Sequence, residues 1–167
     1  MTDLRRSRRP SPAQGQSLVE FAIVLPVFLL IVFGIIDAGR YIYLVNAFNQ
    51  AAREGARYGS VEQWQYSCPS SVPVGSQDRY TCTAAVTIGR VAGAPAYVEP
   101  VTVTCLSDAD DQSSNVSAAN CRAGYLLQVT LRTQTTPANH RFTFFTPVIG
   151  QLLGNPTIEG TASVVVQ

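Results

Sequence analysis

The stretch that decides the architecture is Gly15-Gln16-Ser17-Leu18-Val19-Glu20 followed by FAIVLPVFLLIVFGII, Phe21 to Ile36. Those last 16 residues carry no charge and no strongly polar side chain. Counted from Leu18 to Ile36, the apolar segment holds 19 residues, interrupted only by Glu20. As a helix it spans about 28 Å, close to the hydrocarbon thickness of a bilayer. A helix that is apolar on every side must be surrounded by protein interior or by lipid. A chain of 167 residues has little interior to surround it with. Pro26 points the same way, because proline costs about 3 kcal/mol inside a soluble helix and is better tolerated in a membrane helix. The segment reads as a membrane span.

Its flanks set the orientation. Residues 1 to 15 hold Arg5, Arg6, Arg8 and Arg9 against the single acid Asp3. The positive-inside rule leaves that end in the cytoplasm and sends everything after Ile36 across the membrane. Tyr41 and Tyr43 fall where an interfacial aromatic belt sits. The residues after the apolar run are Asp37, Ala38, Gly39 and Arg40, with no A-x-A site for an ordinary signal peptidase. A retained anchor is therefore expected. Glu20 is the costly residue: a carboxylate at the edge of a membrane helix needs either headgroup-level water or a cationic partner.

Composition narrows the function. All 12 basic residues are Arg and there are 11 acids, for a net charge of +1. No polybasic body is present, which argues against nucleic acid as a partner. The single histidine, His140, cannot build a His-clustered metal site. The chain has no phosphate-binding glycine loop, no H-E-x-x-H and no G-x-S-x-G. No enzyme activity, cofactor, metal or small-molecule substrate is expected. Asp108, Asp110 and Asp111 lack the glycine and terminal Glu of a calcium loop.

The helical pattern continues beyond the membrane. Asp37 to Tyr58 contains no proline, AAREGARY at Ala51 to Tyr58 favours helix, and Gly59-Ser60 supplies a stop. Leu18 to Tyr58 predicts about 61 Å of continuous helix. Ala47, Ala51, Gly55 and Gly59 recur every four residues and line one face with small side chains, which permits close backbone approach. That strip suits packing on the chain's own sheet or on neighbouring helices. Arg53, Glu54 and Arg57 read as a solvated or locally paired polar face.

After Ser60 the composition shifts. Residues 66 to 79 and 107 to 120 read as polar loops, and Asn115-Val116-Ser117 matches a glycosylation acceptor by pattern alone. Strands are expected at about Ala84–Val91, Tyr97–Thr104, Tyr125–Arg132 and Thr157–Val166. Phe142, Phe144, Phe145 and the apolar residues to Leu153 are expected in the sheet core or in a short turn over it. A long helix followed by antiparallel strands predicts an α+β fold with the outer half of the helix laid on one sheet face. Cys68, Cys82, Cys105 and Cys121 all follow the membrane segment, which suits an oxidising exterior. Three disulfide connectivities are open. Pairing sequence neighbours would close two polar loops and add about 3 kcal/mol each in the chain-entropy model. Free buried thiols are the other possibility.

A glycine, four residues, a glutamate and a long apolar helix behind a basic leader resemble the class III signal of type IV pilins. More narrowly, Val19, Glu20, Phe21, Pro26, Gly34, Gly39, Arg40 and the AAREGARY block are similar to the signature of TadE-like proteins, minor pilins or pseudopilins of tight-adherence pili. The end of the chain, Phe142 to Gly150 and the Thr/Ala/Val-rich strand after it, also resembles that family. The resemblance implies a leader at 1–15, a membrane and pilin-like helix at 16–60, and an exported β-rich domain at 61–167. It implies cleavage after Gly15 by a prepilin peptidase, a new amino group at Gln16, and an assembly ion pair between such an amine and Glu20 of a neighbouring subunit. Gln16 departs from the aromatic or aliphatic residue usual there. The implied partners are the peptidase, other pilins and pseudopilins, the membrane proteins of the assembly platform, and the lipid bilayer. The implied location is the cytoplasmic membrane in a single pass, C-terminal domain outside, extending to the exterior in a pilus. The alternative is a single-pass anchored adhesion or sensor module that is neither cleaved nor assembled.

Overall fold

The computed structural model describes residues 13–61, 67–91, 98–107, 115–133, 144, 150–151, 154 and 156–167. One helix, α1 (Ala13–Ser60), runs through the apolar stretch and on into the folded domain with Pro26 inside it. It begins a turn earlier than Leu18, ahead of Gly15. After it come α2 (Arg79–Arg90) and the strands β1 (Thr102–Leu106), β2 (Asn115–Val116), β3 (Leu126–Arg132) and β4 (Glu159–Val165). The strands form one antiparallel sheet in the order β2-β1-β3-β4. The fold is α+β.

Period-two patterning builds the sheet. Leu127, Val129 and Leu131 of β3 alternate inward and are fully buried. Val103 and Cys105 stand opposite Val129 and Leu127, and Ala162 and Val164 flank them on β4. The outward row is polar: Thr102, Thr130 and Thr161 are in register, and Arg132 pairs with Glu159 across β3 and β4 through Nε at 3.2 Å and Nη2 at 3.2 Å. One face is therefore wet and the other must be covered. The outer half of α1 covers it with Phe48, Ala51, Ala52 and Ala56, all buried in the common core.

Two expected boundaries moved and one element changed type. Pro100 interrupts the strand expected at Tyr97–Thr104, since it has no N–H to give a ladder. Val98 is left as an isolated bridge to Thr133, and the regular strand starts at Thr102. The loop expected at 107–120 contains the two-residue strand β2, paired with Cys105 and Leu106. The strand expected at Ala84–Val91 is the helix α2. Its Thr-rich sequence favours strand, but Asp78 closes a reciprocal capping box with Thr81, whose N–H donates to Asp78 Oδ1 at 2.7 Å. The four-residue spacing of Thr83 and Thr87 then places both against α1. His140, Phe142, Phe145 and most of the stretch to Leu153 lie outside the described residues. Phe144 is half-buried against the core.

Disulfides join Cys68 to Cys82 and Cys105 to Cys121. The first ties the chain leaving α1 to α2. The second ties Cys105 of β1 to Cys121, just ahead of β3.

Candidate functional site

The helix α1 has two environments. From Gly15 to Ile31 every side chain is exposed, and through Ile36 only Val32 and Gly34 are partly covered. Its most apolar window has none of its residues buried in the fold, and it is long and apolar enough to cross a membrane. Leu18, Phe21, Ile23, Val24, Val27 and Phe28 each expose more than half of their surface. So much contiguous apolar surface on a monomer marks a contact with lipid or with other protein.

Gly15 sits in the first turn of α1, among the amides that have no carbonyl partner within the helix. A Cβ on Gly15 would meet nothing within 4 Å. The fold makes no demand for glycine there. Gln16 and Glu20 are both exposed and stand four apart, on the same side of the helix one turn from each other. Glu20 therefore presents its carboxylate where the apolar surface begins.

The other end of the apolar run is closed differently. Asp37 is only 1% exposed, although Ile36 and Ala38 beside it are exposed. Arg40 Nη1 lies 3.8 Å from Asp37 Oδ1. The first acid after the lipid-length run is therefore folded into the domain beside a cation, where a bare carboxylate would be costly.

Above Asp37 the helix becomes one-sided. Of the small-residue strip, Ala47 is half-buried and Ala51, Gly55 and Gly59 are buried. A Cβ on Gly55 would collide with Thr87, and one on Gly59 would come within 2.5 Å of Thr83 Oγ1 and Leu127 Cδ2. The Gly55 and Gly59 end of the strip is filled by α2 and β3 of the same chain. On β4, Gly160 fits against the helix backbone, with Phe48 carbonyl carbon 2.6 Å from where a Cβ would stand.

The C-terminus of α1 is capped by groups from distant sequence. Arg79, buried at the start of α2, donates from Nη1 to the Gly59 carbonyl at 3.2 Å. The Ser60 hydroxyl donates to the Arg57 carbonyl at 2.9 Å, and the Gln167 amide to the Ser60 carbonyl at 2.9 Å. These satisfy carbonyls that have no partner within the helix, and the guanidinium complements the negative helix end. Glu54 pairs with Arg90 of α2 at 3.1 Å, not with Arg57 on its own helix. Tyr80 donates its hydroxyl to the Val116 carbonyl, and burial pushes its ionisation up from the ordinary 10.0.

Among the described residues no group of three or more His, Cys, Asp or Glu could hold a metal ion. Sequence reasoning missed the burial of Asp37 and Arg79. Both follow from long-range packing, and only the charge itself, adjoining a helix end or an apolar run, could have flagged them.

Residues 15–57 match the family described as TadE-like protein. That stretch is about a quarter of the chain and coincides with the lipid-length run and most of the outer helix. No curated protein and no solved structure matches the chain.

Proposed function

We propose that this protein is a pilin-like minor subunit or assembly component of a tight-adherence pilus. It is made as a precursor with its leader, residues 1–15, in the cytoplasm, α1 across the cytoplasmic membrane, and residues 61–167 exported. The observation that carries the reading is that the TadE-like match at 15–57 falls on a helix whose most apolar window holds no residue buried in the fold.

Processing breaks the amide bond between Gly15 and Gln16. Water supplies the hydroxyl to the Gly15 carbonyl and the protons to the departing nitrogen, which leaves a leader carboxylate and a Gln16 ammonium. Gly15 suits a peptidase because no Cβ screens the scissile carbonyl, and the fold itself is indifferent to that position. The new ammonium at a helix N-terminus is opposed by the helix dipole. A carboxylate in an apolar setting is the partner that offsets both charges. Glu20 provides it to a neighbouring subunit, and a pairing at one depth fixes the axial register of adjacent helices. The bilayer holds the subunit until the assembly platform and other pilins take over the same apolar surface.

Glu20→Ala and Glu20→Gln test the role. Both variants are expected to be inserted and cleaved, but to lose co-purification with other pilins and surface piliation. Unchanged assembly in both would remove the role.

A further inference from the structure

We infer that the outward row of α1 above the membrane docks an acidic helix of a different pilin-like subunit, and that the small-residue strip does not. This deepens the proposed function and rests on it. The buried side of the outer helix runs through Asp37, Phe48, Ala52, Gly55 and Gly59. The opposite side is the row Gly39, Tyr43, Asn46, Gln50, Arg53 and Arg57, and every member is exposed. The spacing alternates four and three residues, the period at which one helix follows another. The same spacing continues downward through Ile36, Val32, Leu29 and Leu25 into the apolar run. Ile36, Leu29 and Leu25 of that row are exposed and Val32 is partly covered, so a helix that follows α1 through the apolar run meets the outward row beyond it.

Charge selects the occupant. Arg40, Arg90 and Arg132 each have a carboxylate within 4.0 Å. Arg53 and Arg57 are exposed, stand on one face four apart, and make no ion pair among the described residues. Two like cations one turn apart repel each other, and an acidic partner relieves that repulsion.

A second copy is a poor occupant. Side by side it would set Arg53 and Arg57 against their own counterparts. Shifted along the axis it has little to offer, because no acid of α1 stands on the row. Asp37 is buried beside Arg40, Glu54 is paired with Arg90, and Glu20 lies at the far end of the apolar run. Asn46 and Gln50 add amide hydrogen bonds that set register between unlike helices.

All four native cysteines are in disulfides, so an introduced cysteine is the single free thiol. Asn46→Cys and Gln50→Cys in the full chain, in membranes of piliated cells, are labelled with benzophenone maleimide and irradiated. Thr102→Cys on the wet sheet face is the control. The expected adducts join positions 46 and 50 to an acidic helical segment of another pilin-like subunit, with none from position 102. Added Arg53→Glu and Arg57→Glu lower the yield about tenfold, and Arg53→Lys with Arg57→Lys restores it. Background adducts at 46 and 50, adducts only to this chain, equal labelling from 102, or indifference to charge reversal overturns the docking row. If pilins still co-purify in that case, the proposed function stands without it. If no pilin co-purifies with the unsubstituted protein, both readings fall.

Discussion

The two halves of α1 share one backbone and obey different rules. From Phe21 to Ile36 the helix is apolar on all sides, and only Val32 and Gly34 are partly covered. Above Asp37 it is divided, with Phe48, Ala51, Ala52 and Ala56 buried and Asn46, Gln50, Arg53 and Arg57 in water. The lower half needs lipid or other helices. The upper half carries its own cover in α2 and the sheet, and Asp37, buried beside Arg40, stands at the change.

The sharpest way to break the comparison is to injure one half and read both. Phe48→Ala empties the largest fully buried side chain among the described residues. It is expected to cost the folded domain about 3–5 kcal/mol in chemical denaturation while membrane fractionation is unchanged. Val27→Arg should do the reverse. It adds about 2.5–3.5 kcal/mol to insertion near the helix centre and leaves the domain's denaturation midpoint alone. A single variant that moved both readouts would show that the halves are not independent.

The disulfides lie beyond the division, in the folded part of the chain. Cys105→Ser with Cys121→Ser is expected to lower domain stability by about 3 kcal/mol, read as a fall in melting temperature, with insertion unaffected. Glycines separate the halves at smaller scale. Gly59→Ala forces a Cβ to 2.5 Å from Thr83 Oγ1 and Leu127 Cδ2 and should cost about 1–3 kcal/mol. Gly39→Ala meets nothing within 4 Å and should be neutral, or stabilising by up to about 1 kcal/mol through helix propensity.

The smallest effect concerns Tyr80. Its ionisation is raised in the fold by burial, so the native state holds its proton to higher pH than the unfolded chain does. That stabilisation is complete below pH 10.0 and is lost as pH climbs through the raised value. Tyr80→Phe should flatten the alkaline limb of a stability-against-pH curve. It should also cost about 1 kcal/mol at neutral pH through the lost bond to the Val116 carbonyl.

These contrasts also mark how far the sequence could be read. The span, the long helix and strands β3 and β4 were legible because each has an uninterrupted local period. A run of 16 apolar residues and the alternation of Leu127, Val129 and Leu131 need no tertiary information. α2 was not legible, because Thr81, Thr83, Val86, Thr87 and Ile88 carry strand propensity. A cap at Asp78 and a cleft over Gly55 and Gly59 override it. The small-residue strip was visible as a strip, but its occupant was not: a four-residue spacing is the same whether α2 or a neighbour fills it. Gly15 to Glu20 stands out as a local pattern, and the cleavage proposed there is for N-terminal sequencing to test. The exposed row from Gly39 to Arg57 was not legible, because a row is outward only once the opposite face is known to be buried.

The central claim is that the membrane helix begins life behind a leader and ends with a new amine beside a carboxylate. N-terminal sequencing of the protein extracted from membranes tests it most directly. The account predicts a chain that starts at Gln16. A start at Met1 or Thr2, or one near residues 38–40 left by an ordinary signal peptidase, would contradict it.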